Sequence, residues 1–457
     1  MNFIIKNLTQ NKLSAAVAGS CLLTALTFTP ATQAEDLLQV YSLAYQTDPV
    51  LKQVVSQRQV IGEGSVQAFA RFLPVISASA NTSANRTNPS GSAISAANKS
   101  SSYNQHGYSL DLNQSIFDNT NYVNYRIANL EISKAQANLN AAQQELIIRS
   151  ADAYFKTLSA VDAVGFAKAE RKAIGRQLDQ AKRRYEVGII AITDVHEAQA
   201  GYDNANAQVI AAENELLIAK ETLRELTSQY IDNVSALAET IPLSPPVPEK
   251  IMHWVDQAIS GNYTLLAAKE DTIVNKENIN LQRSGHYPTL GLTVSYGYSK
   301  NNLSGFGQTT SARQSKDSLI GVNLSVPIYE GYSVVSKTRQ AQYNFQQSQE
   351  AYTQVLNSTE KNARSSYLNV ISEVSRVKAL KQAVISNESA LKATEAGFEV
   401  GTRTIVDVLN VQRDLYRAKQ EHSNSRYIYL LNTLRLKQAS GDLARVDIET
   451  INNWLVK

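Results

Sequence analysis

Arg184-Tyr185-Glu186-Val187-Gly188-Ile189-Ile190-Ala191-Ile192-Thr193-Asp194-Val195 returns later in the chain as Gly397-Phe398-Glu399-Val400-Gly401-Thr402-Arg403-Thr404-Ile405-Val406-Asp407-Val408, at an offset of 213 (401 − 188). Other landmarks keep the same spacing. Pro74 and Pro288 differ by 214, Ile116-Phe117 and Ile328-Tyr329 by 212, and Tyr154 and Tyr367 by 213. Separate landmarks within two residues of one offset mark a tandem duplication. Its copies are expected at residues 35–230 and 250–442. Between them, 231–249 contains Ile241-Pro242-Leu243-Ser244-Pro245-Pro246-Val247-Pro248, a stiff extended connector, and 443–457 forms a C-terminal tail.

Outward from the Val-Gly motif each half has one grammar. It opens with a helical stretch of about 35 residues that ends near Pro74 or Pro288. Two strand-like runs follow, separated by a Ser/Asn/Gly-rich segment (about 87–102 and 301–316). Long proline-free patterns over 119–184 and 331–397 come next, each spanning about 100 Å as a helix. Return helices over 192–228 and 404–440 cover half that length, and the opening helix stacked on each supplies the rest. Ala128, Ile132, Ala135, Leu139, Ala142, Leu146 and Ala153 form a seam of alternating small and large residues suited to close antiparallel packing. A column of helices ending in strands is predicted, with the Val-Gly motif at its far tip.

The strands alternate with period two. Ile76, Ala78, Ala80, Thr82 and Ala84 oppose Ser77, Ser79, Asn81, Ser83 and Asn85, and Tyr108, Leu110 and Leu112 oppose Ser109, Asp111 and Asn113. Leu290, Leu292, Val294, Tyr296 and Tyr298 oppose Thr289, Gly291, Thr293, Ser295 and Gly297; Ile320, Val322, Leu324 and Val326 oppose Gly321, Asn323 and Ser325. Runs of about ten residues fit tilted membrane strands. Polar faces of Ser, Thr, Asn and Gly suit a wet lumen, and tyrosines at strand ends (Tyr103, Tyr108, Tyr296, Tyr298) suit interfacial girdles. A soluble sheet packed on helices explains the alternation but not these two features. Four strands cannot close a barrel, and lipid does not tolerate an open edge. The chain must therefore oligomerise: eight strands from a dimer, twelve from a trimer or sixteen from a tetramer.

Composition agrees. The 457 residues hold 20 Gly and 10 Pro, about 7% together against roughly 12% in average usage, which favours long uninterrupted helices. The 44 basic and 41 acidic residues leave a formal charge of +3, and no basic patch is interleaved with aromatics, which excludes a nucleic-acid footprint. Residues 1–34 read as a secretory signal: Lys6 and Lys12, an apolar Leu13–Phe28 stretch, and Thr32-Gln33-Ala34 with cleavage expected near Ala34. The single cysteine, Cys21, leaves with it. A lipidated Cys21 is the competing reading, but Ala18-Gly19-Ser20 lacks the usual Leu and the apolar run continues past it. No later apolar run reaches the eighteen or so residues of a membrane helix. The histidines (His106, His196, His253, His286, His422) lack metal spacing, Gly62-Glu63-Gly64 has no phosphate-loop continuation, and no nucleophile elbow occurs. No enzyme, metal or cofactor is expected.

With the motif present twice and a strand pair in place in each half, the chain resembles the TolC family of outer-membrane efflux proteins over essentially its whole mature length. The resemblance implies an α+β membrane protein whose long antiparallel helices form an α-barrel. Four β-strands per chain would contribute to a twelve-stranded outer-membrane β-barrel shared by a homotrimer. It implies docking on a periplasmic adaptor (membrane fusion) protein and an inner-membrane transporter of the RND, ABC or MFS class. Such an assembly is an exit duct for drugs, toxic compounds or secreted proteins, embedded in outer-membrane lipid and gated at its periplasmic tip. Residue by residue, Arg403 and the Thr193/Asp194 pair match the links that hold the family's tip shut, and Asp407 matches the first acidic ring of the constriction. Phe398 stands where close relatives carry a Tyr bonded to the residue matching Asp194, and Asn410 where they carry a second Asp. The hydroxyl link is thus expected to be absent and the second ring uncharged. Val187, Gly188, Val400, Gly401 and Thr402 match the tip that meets the adaptor.

Read physically, a three-fold axis gathers three Asp407 carboxylates, which repel one another and attract cations. Arg403 precedes Asp407 by four residues, so spacing alone predicts an exposed intrahelical ion pair of about 0.5 kcal/mol or less. Two rival functions remain. A trimeric coiled-coil adhesin or periplasmic spacer explains the helices but not the strands, and detergent-free solubility would favour it. A substrate-specific porin explains the strands but not the helices, and pump-independent uptake would favour it.

Overall fold

The computed structural model describes residues 34–87, 101–305 and 312–456. Nearly all of the signal segment, including Cys21, and the centres of the two Ser/Asn-rich loops therefore lie outside the described residues. The first half opens with two helices, α1 (Leu37–Thr47) and α2 (Pro49–Ala70), where the sequence predicts one. Pro49 has no N–H to continue α1 and biases Asp48 away from helical geometry, leaving it at φ −56°, ψ 118°. Asp48, 2% exposed, then caps the new helix by accepting from Leu51 N at 2.8 Å, and Arg149 grips both its oxygens at 2.7 and 3.1 Å.

After the strands β1 (Val75–Thr87) and β2 (Ser101–Phe117) come the long helix α3 (Asn119–Glu186) and the return helix α4 (Ile192–Thr227). The second half repeats the order: α5 (Ile251–Gly261), α6 (Tyr263–Arg283), β3 (Thr289–Gly305), β4 (Ala312–Ser325), α7 (Ser333–Glu399) and α8 (Ile405–Ser440). Its opening stretch is also broken, by Asn262, whose side chain accepts from Thr264 N and Leu265 N at 3.0 and 3.1 Å. The long helices hold 68 and 67 residues, about 100 Å each. Helix α3 lies against α2 and then α4, and α7 against α6 and then α8. The stacked ends are tied equivalently, by Thr47 Oγ1 to Leu226 O (3.2 Å) and by Asn262 Nδ2 to Ala439 O (3.2 Å). Along the predicted seam, Ala135, Leu146 and Ala153 are buried and Ala128, Ile132, Leu139 and Ala142 half-buried.

The main apolar core lies at mid-column and includes Leu37, Val40, Leu146, Tyr154, Leu158, Leu223, Leu430, Leu434 and Ile448. The expected tail is ordered there as α9 (Arg445–Asn452) and a bridge from Leu455 to Leu237 of the connector. Helical tyrosines do more here than pack. The Tyr154 hydroxyl donates to Ser235 O at 2.8 Å, and the Tyr429 hydroxyl accepts from Ser244 N at 3.2 Å and lies 3.1 Å from Ser244 O. Both fasten connector backbone to the helices, satisfying groups that burial leaves without water.

The four strands form one antiparallel sheet in the order β1-β2-β3-β4, so β1 and β4 are its edges. The register places Ile76, Leu112, Val294 and Ile320 in one row, and Ala78, Leu110, Tyr296 and Ser318 in the next. The four apolar faces read from alternation are therefore one continuous face. A bulge between Ser115 and Phe117 turns Phe117 onto it, opposite Leu290 and Leu324. Asp111, Ser109, Ser295, Gly297 and Asp317 share the opposite face.

Three expectations need correction. The strands run 13, 17, 17 and 14 residues rather than about ten, because the ladder continues into Ser- and Asn-rich sequence that alternation of apolar residues does not mark. Tyr108 and Tyr298 stand opposite each other, rings stacked at 5.2 Å, in mid-strand, and Tyr296 lies mid-strand opposite Leu110; Tyr108 and Tyr298 end the apolar band, and none of the three ends a strand. Val326 falls outside β4, which stops at Ser325 just before Pro327. Among the described residues no helix is long and apolar enough to cross a membrane.

Candidate functional site: the helical tip

Both Val-Gly motifs form the same turn. At the end of α3, Ile189 N donates to Arg184 O (2.9 Å) and Gly188 N to Tyr185 O (2.9 Å); at the end of α7, Thr402 N donates to Gly397 O (2.8 Å) and Gly401 N to Phe398 O (3.2 Å). These satisfy the last helix carbonyls, and the turn needs a left-handed residue, supplied by Gly188 at φ +76° and Gly401 at φ +80°. Val187 and Val400 are thereby thrust outward, 70% and 75% exposed, with Gly188, Gly401 and Thr402 also exposed.

The return helices begin differently. Thr404 caps α8: its hydroxyl accepts from Asp407 N at 3.2 Å, and Asp407 Oδ2 accepts from Thr404 N at 2.9 Å and from the Thr404 hydroxyl at 3.0 Å. Those backbone and side-chain hydrogen bonds from Thr404, with the nearby Arg403 charge adding to them, hold the Asp407 carboxyl below the ordinary value. In α4 the cap position is Ala191, which has no side chain to play this part. Asp194, the duplicate of Asp407, makes no side-chain hydrogen bond or ion pair within the described chain. The duplication thus yields one carboxylate committed to its own helix and one left available.

The predicted Arg403–Asp407 helical pair is not formed. Arg403 precedes the Thr404 cap and so lies outside α8, which removes the i,i+4 geometry. Its side chain is exposed and makes no ion pair or hydrogen bond within the described chain, whether to Asp407, Asp194 or Thr193. Thr193 and Asn410 are exposed, Asp194 and Asp407 half-buried.

Phe398 is 7% exposed and belongs to a second core with Ile174, Leu178 and Ala181 of α3, Ala198 and Ala205 of α4, and Ile405, Val408 and Leu409 of α8. All four helices of the tip meet there. Over its ring sits the Arg184 guanidinium, 4.9 Å from the centroid, linking the end of α3 to the end of α7. Arg184 opens the duplicated motif, yet sequence reading passed over it, because a cation–π contact between distant segments has no spacing signature. The Thr404–Asp407 cap was legible, as a Thr followed three residues later by an acid at a helix start. Deeper in, Gln177 Oε1 is buried with no partner within the described chain. No group of His, Cys, Asp and Glu among the described residues is arranged to hold a metal.

The sequence profile of the "Outer membrane efflux protein" family matches residues 40–229 and again 254–442. Outer membrane protein TolC of Vibrio cholerae is 38% identical over 429 residues, spanning 94% of this chain and 96% of that protein. Alkaline protease secretion protein AprF of Pseudomonas aeruginosa is 27% identical over 91% of this chain and 86% of its own length. Among solved structures, the Campylobacter jejuni CmeC outer membrane channel superposes with a TM-score of 0.76 at 17% identity, covering 98% of each chain, a likeness of fold.

Proposed function

The chain belongs to the outer membrane efflux protein family, and from that membership we propose that it is the outer-membrane exit duct of an efflux pump or type I secretion system. The observation that carries this reading is the joining of two features in one chain. A four-stranded sheet presents one continuous, mainly apolar face, broken by Gln114 and Ser318, with two unpaired edges, and helices of about 100 Å run from its base. Open edges in lipid require further copies. Three copies give twelve strands, a barrel wide enough for a channel, and a helical column long enough to reach across the periplasm.

In this reading residues 35–230 and 250–442 are two copies of one unit, the connector is 231–249, and residues up to Ala34 are a cleaved signal. The protein acts as a conduit rather than an enzyme. The tip is its gate. Arg403, unpartnered within its own chain, reaches Thr193 and Asp194 of a neighbouring copy; Asp194 is the carboxylate that no helix cap consumes. Three Asp407 carboxylates, kept ionised by Thr404, ring the constriction, with uncharged Asn410 one turn on. Exposed Val187 and Val400, with Gly188, Gly401 and Thr402, offer the periplasmic adaptor a contact surface, and an inner-membrane transporter completes the path.

The test is the conductance of the protein inserted in planar bilayers. Arg403→Ala or Asp194→Ala is expected to raise it several-fold; conductance equal to wild type in both would remove the gate from this account. Cross-linking in vivo from Val187 and Val400 positions is expected to capture adaptor and, in the same complexes, the transporter.

A further inference from the structure

The outward face of the sheet changes character along a single line. Below the stacked Tyr108–Tyr298 pair it is apolar, with Leu110, Leu112, Leu292, Val294, Ile320 and Val322. From Leu290 to Tyr298 the band is nine residues long, eight steps of about 3.4 Å or about 27 Å of strand, and roughly 20 Å of height at membrane-strand tilt. At its upper edge three nitrogen-bearing side chains gather. Lys316 stands directly opposite Tyr298, Lys300 is one step above Tyr298 on the same face, and His106 is opposite Lys300. Lys300 and Lys316 are diagonal cross-strand neighbours, a spacing of about 7–8 Å. Neither lysine has a hydrogen bond or ion pair within the described chain. His106 Nδ1 is 2.8 Å from the Thr82 hydroxyl, which leaves Nε2 directed elsewhere. The nearest strand carboxylates, Asp111 and Asp317, share the opposite face, with Asp317 tied to Ser315 at 2.9 Å.

Two unpaired ammonium groups this close repel each other unless an anion lies between them. At the edge of an apolar band the anion within reach is the one joined to lipid. We propose that Lys300, Lys316 and His106 form a binding site for the phosphate monoester of an anionic lipid in the outer leaflet, whose acyl chains lie along the apolar rows beneath. The commitment to a monoester follows from charge: it carries close to two negative charges at neutral pH, matching two lysines, where a phosphodiester carries one. The stacked rings of Tyr108 and Tyr298 lie at this height, where interfacial aromatic side chains sit. The inference rests on the barrel reading, since only a lipid-facing sheet surface meets headgroups at this height.

The experiment is native mass spectrometry of detergent-extracted protein titrated with bisphosphorylated lipid A, with its dephosphorylated form, and with phosphatidylglycerol. Wild type is expected to hold the bisphosphorylated lipid at least roughly tenfold more tightly than the other two, and Lys300→Gln/Lys316→Gln to lose that preference while keeping oligomeric state and bilayer conductance. Equal binding of all three lipids overturns the proposal, as does phosphatidylglycerol bound as tightly as lipid A or a preference that survives in the double variant. A wild-type chain that fails to insert in bilayers would instead overturn the barrel reading, so the two failures are distinct.

Discussion

Replacing Arg184 by Met keeps the aliphatic stem and removes the guanidinium that lies 4.9 Å over the Phe398 ring. This contact bridges the α3–α4 hairpin to the α7–α8 hairpin where they end, so hairpins that separate on opening must break it. A cation–π contact at a partly exposed site contributes about 0.5–1 kcal/mol. In the proposed three-copy gate, the loss summed over copies opening together is about 1.5–3 kcal/mol, and the ratio of open to closed tips rises roughly 10- to 150-fold. Arg184 also lies in the last turn of α3, where any cation is favoured by the helix dipole. Arg183→Met supplies the control, because Arg183 occupies the same turn but bonds only to Asp179 O at 3.3 Å. Single-channel recording in planar bilayers reads the open fraction directly. Arg184→Met is expected to exceed both wild type and Arg183→Met. Equal open fractions for the two variants would show that the ring contact between Arg184 and Phe398 does not oppose opening.

Thr404→Ala removes the hydroxyl that caps α8 and should lower stability by about 1 kcal/mol per copy; the Asp407 carboxyl loses the hydroxyl's hydrogen bond but keeps the one from the backbone N–H at 404, so it should move only part of the way back toward the ordinary value, seen as a small upward shift in an NMR titration. Gly401→Ala places a Cβ at φ +80° and should lower stability by about 1–2 kcal/mol in chemical denaturation, although nothing lies within 4 Å of the new atom. Asp48→Asn keeps a cap but strands Arg149, and should cost about 2–4 kcal/mol in thermal unfolding. Burial of Asp48 opposes its charge, but the Arg149 hydrogen bonds and charge and the Leu51 N–H outweigh it and lower its pKa. Its contribution is therefore complete above pH 3.8, the ordinary value, and fades as pH falls through the lowered folded value. Wild type should lose this part of its stability in acid while Asp48→Asn shows no such component. Tyr427→Phe removes the hydroxyl that donates to Asp162 at 2.7 Å and should lower the melting point by an amount corresponding to about 1 kcal/mol.

Much of this architecture was readable because two periodicities and one repeat reinforce each other. The four helix boundaries flanking the tip fall within two residues of expectation, since Gly188 and Gly401 supply the left-handed residue their turns demand. The alternation in each strand identified the face that the register then joined across the sheet. What escaped had no local signature. The ladder continues through Ser and Asn beyond the tyrosines because backbone hydrogen bonds pair strands whatever their side chains. The break at Asp48-Pro49 was written in the sequence, but the helical pattern continues across it. The equivalent break at Asn262 rests on a capping side chain that, without a neighbouring proline, reads as an ordinary helical residue. At the tip, family resemblance named Arg403, Asp194 and Asp407. What separates the capped carboxylate from the free one is Thr404 against Ala191, a difference visible in the sequence that the resemblance, which treats both acids as tip residues, does not distinguish.

In the proposed duct, three copies of this chain share one barrel continued by one helical column. Electron cryomicroscopy of the membrane-extracted particle can count the copies and strands. Three-fold symmetry, twelve strands, and a column whose length matches helices of about 100 Å are expected. A monomer, or a dimer or tetramer with eight or sixteen strands, would contradict that arrangement.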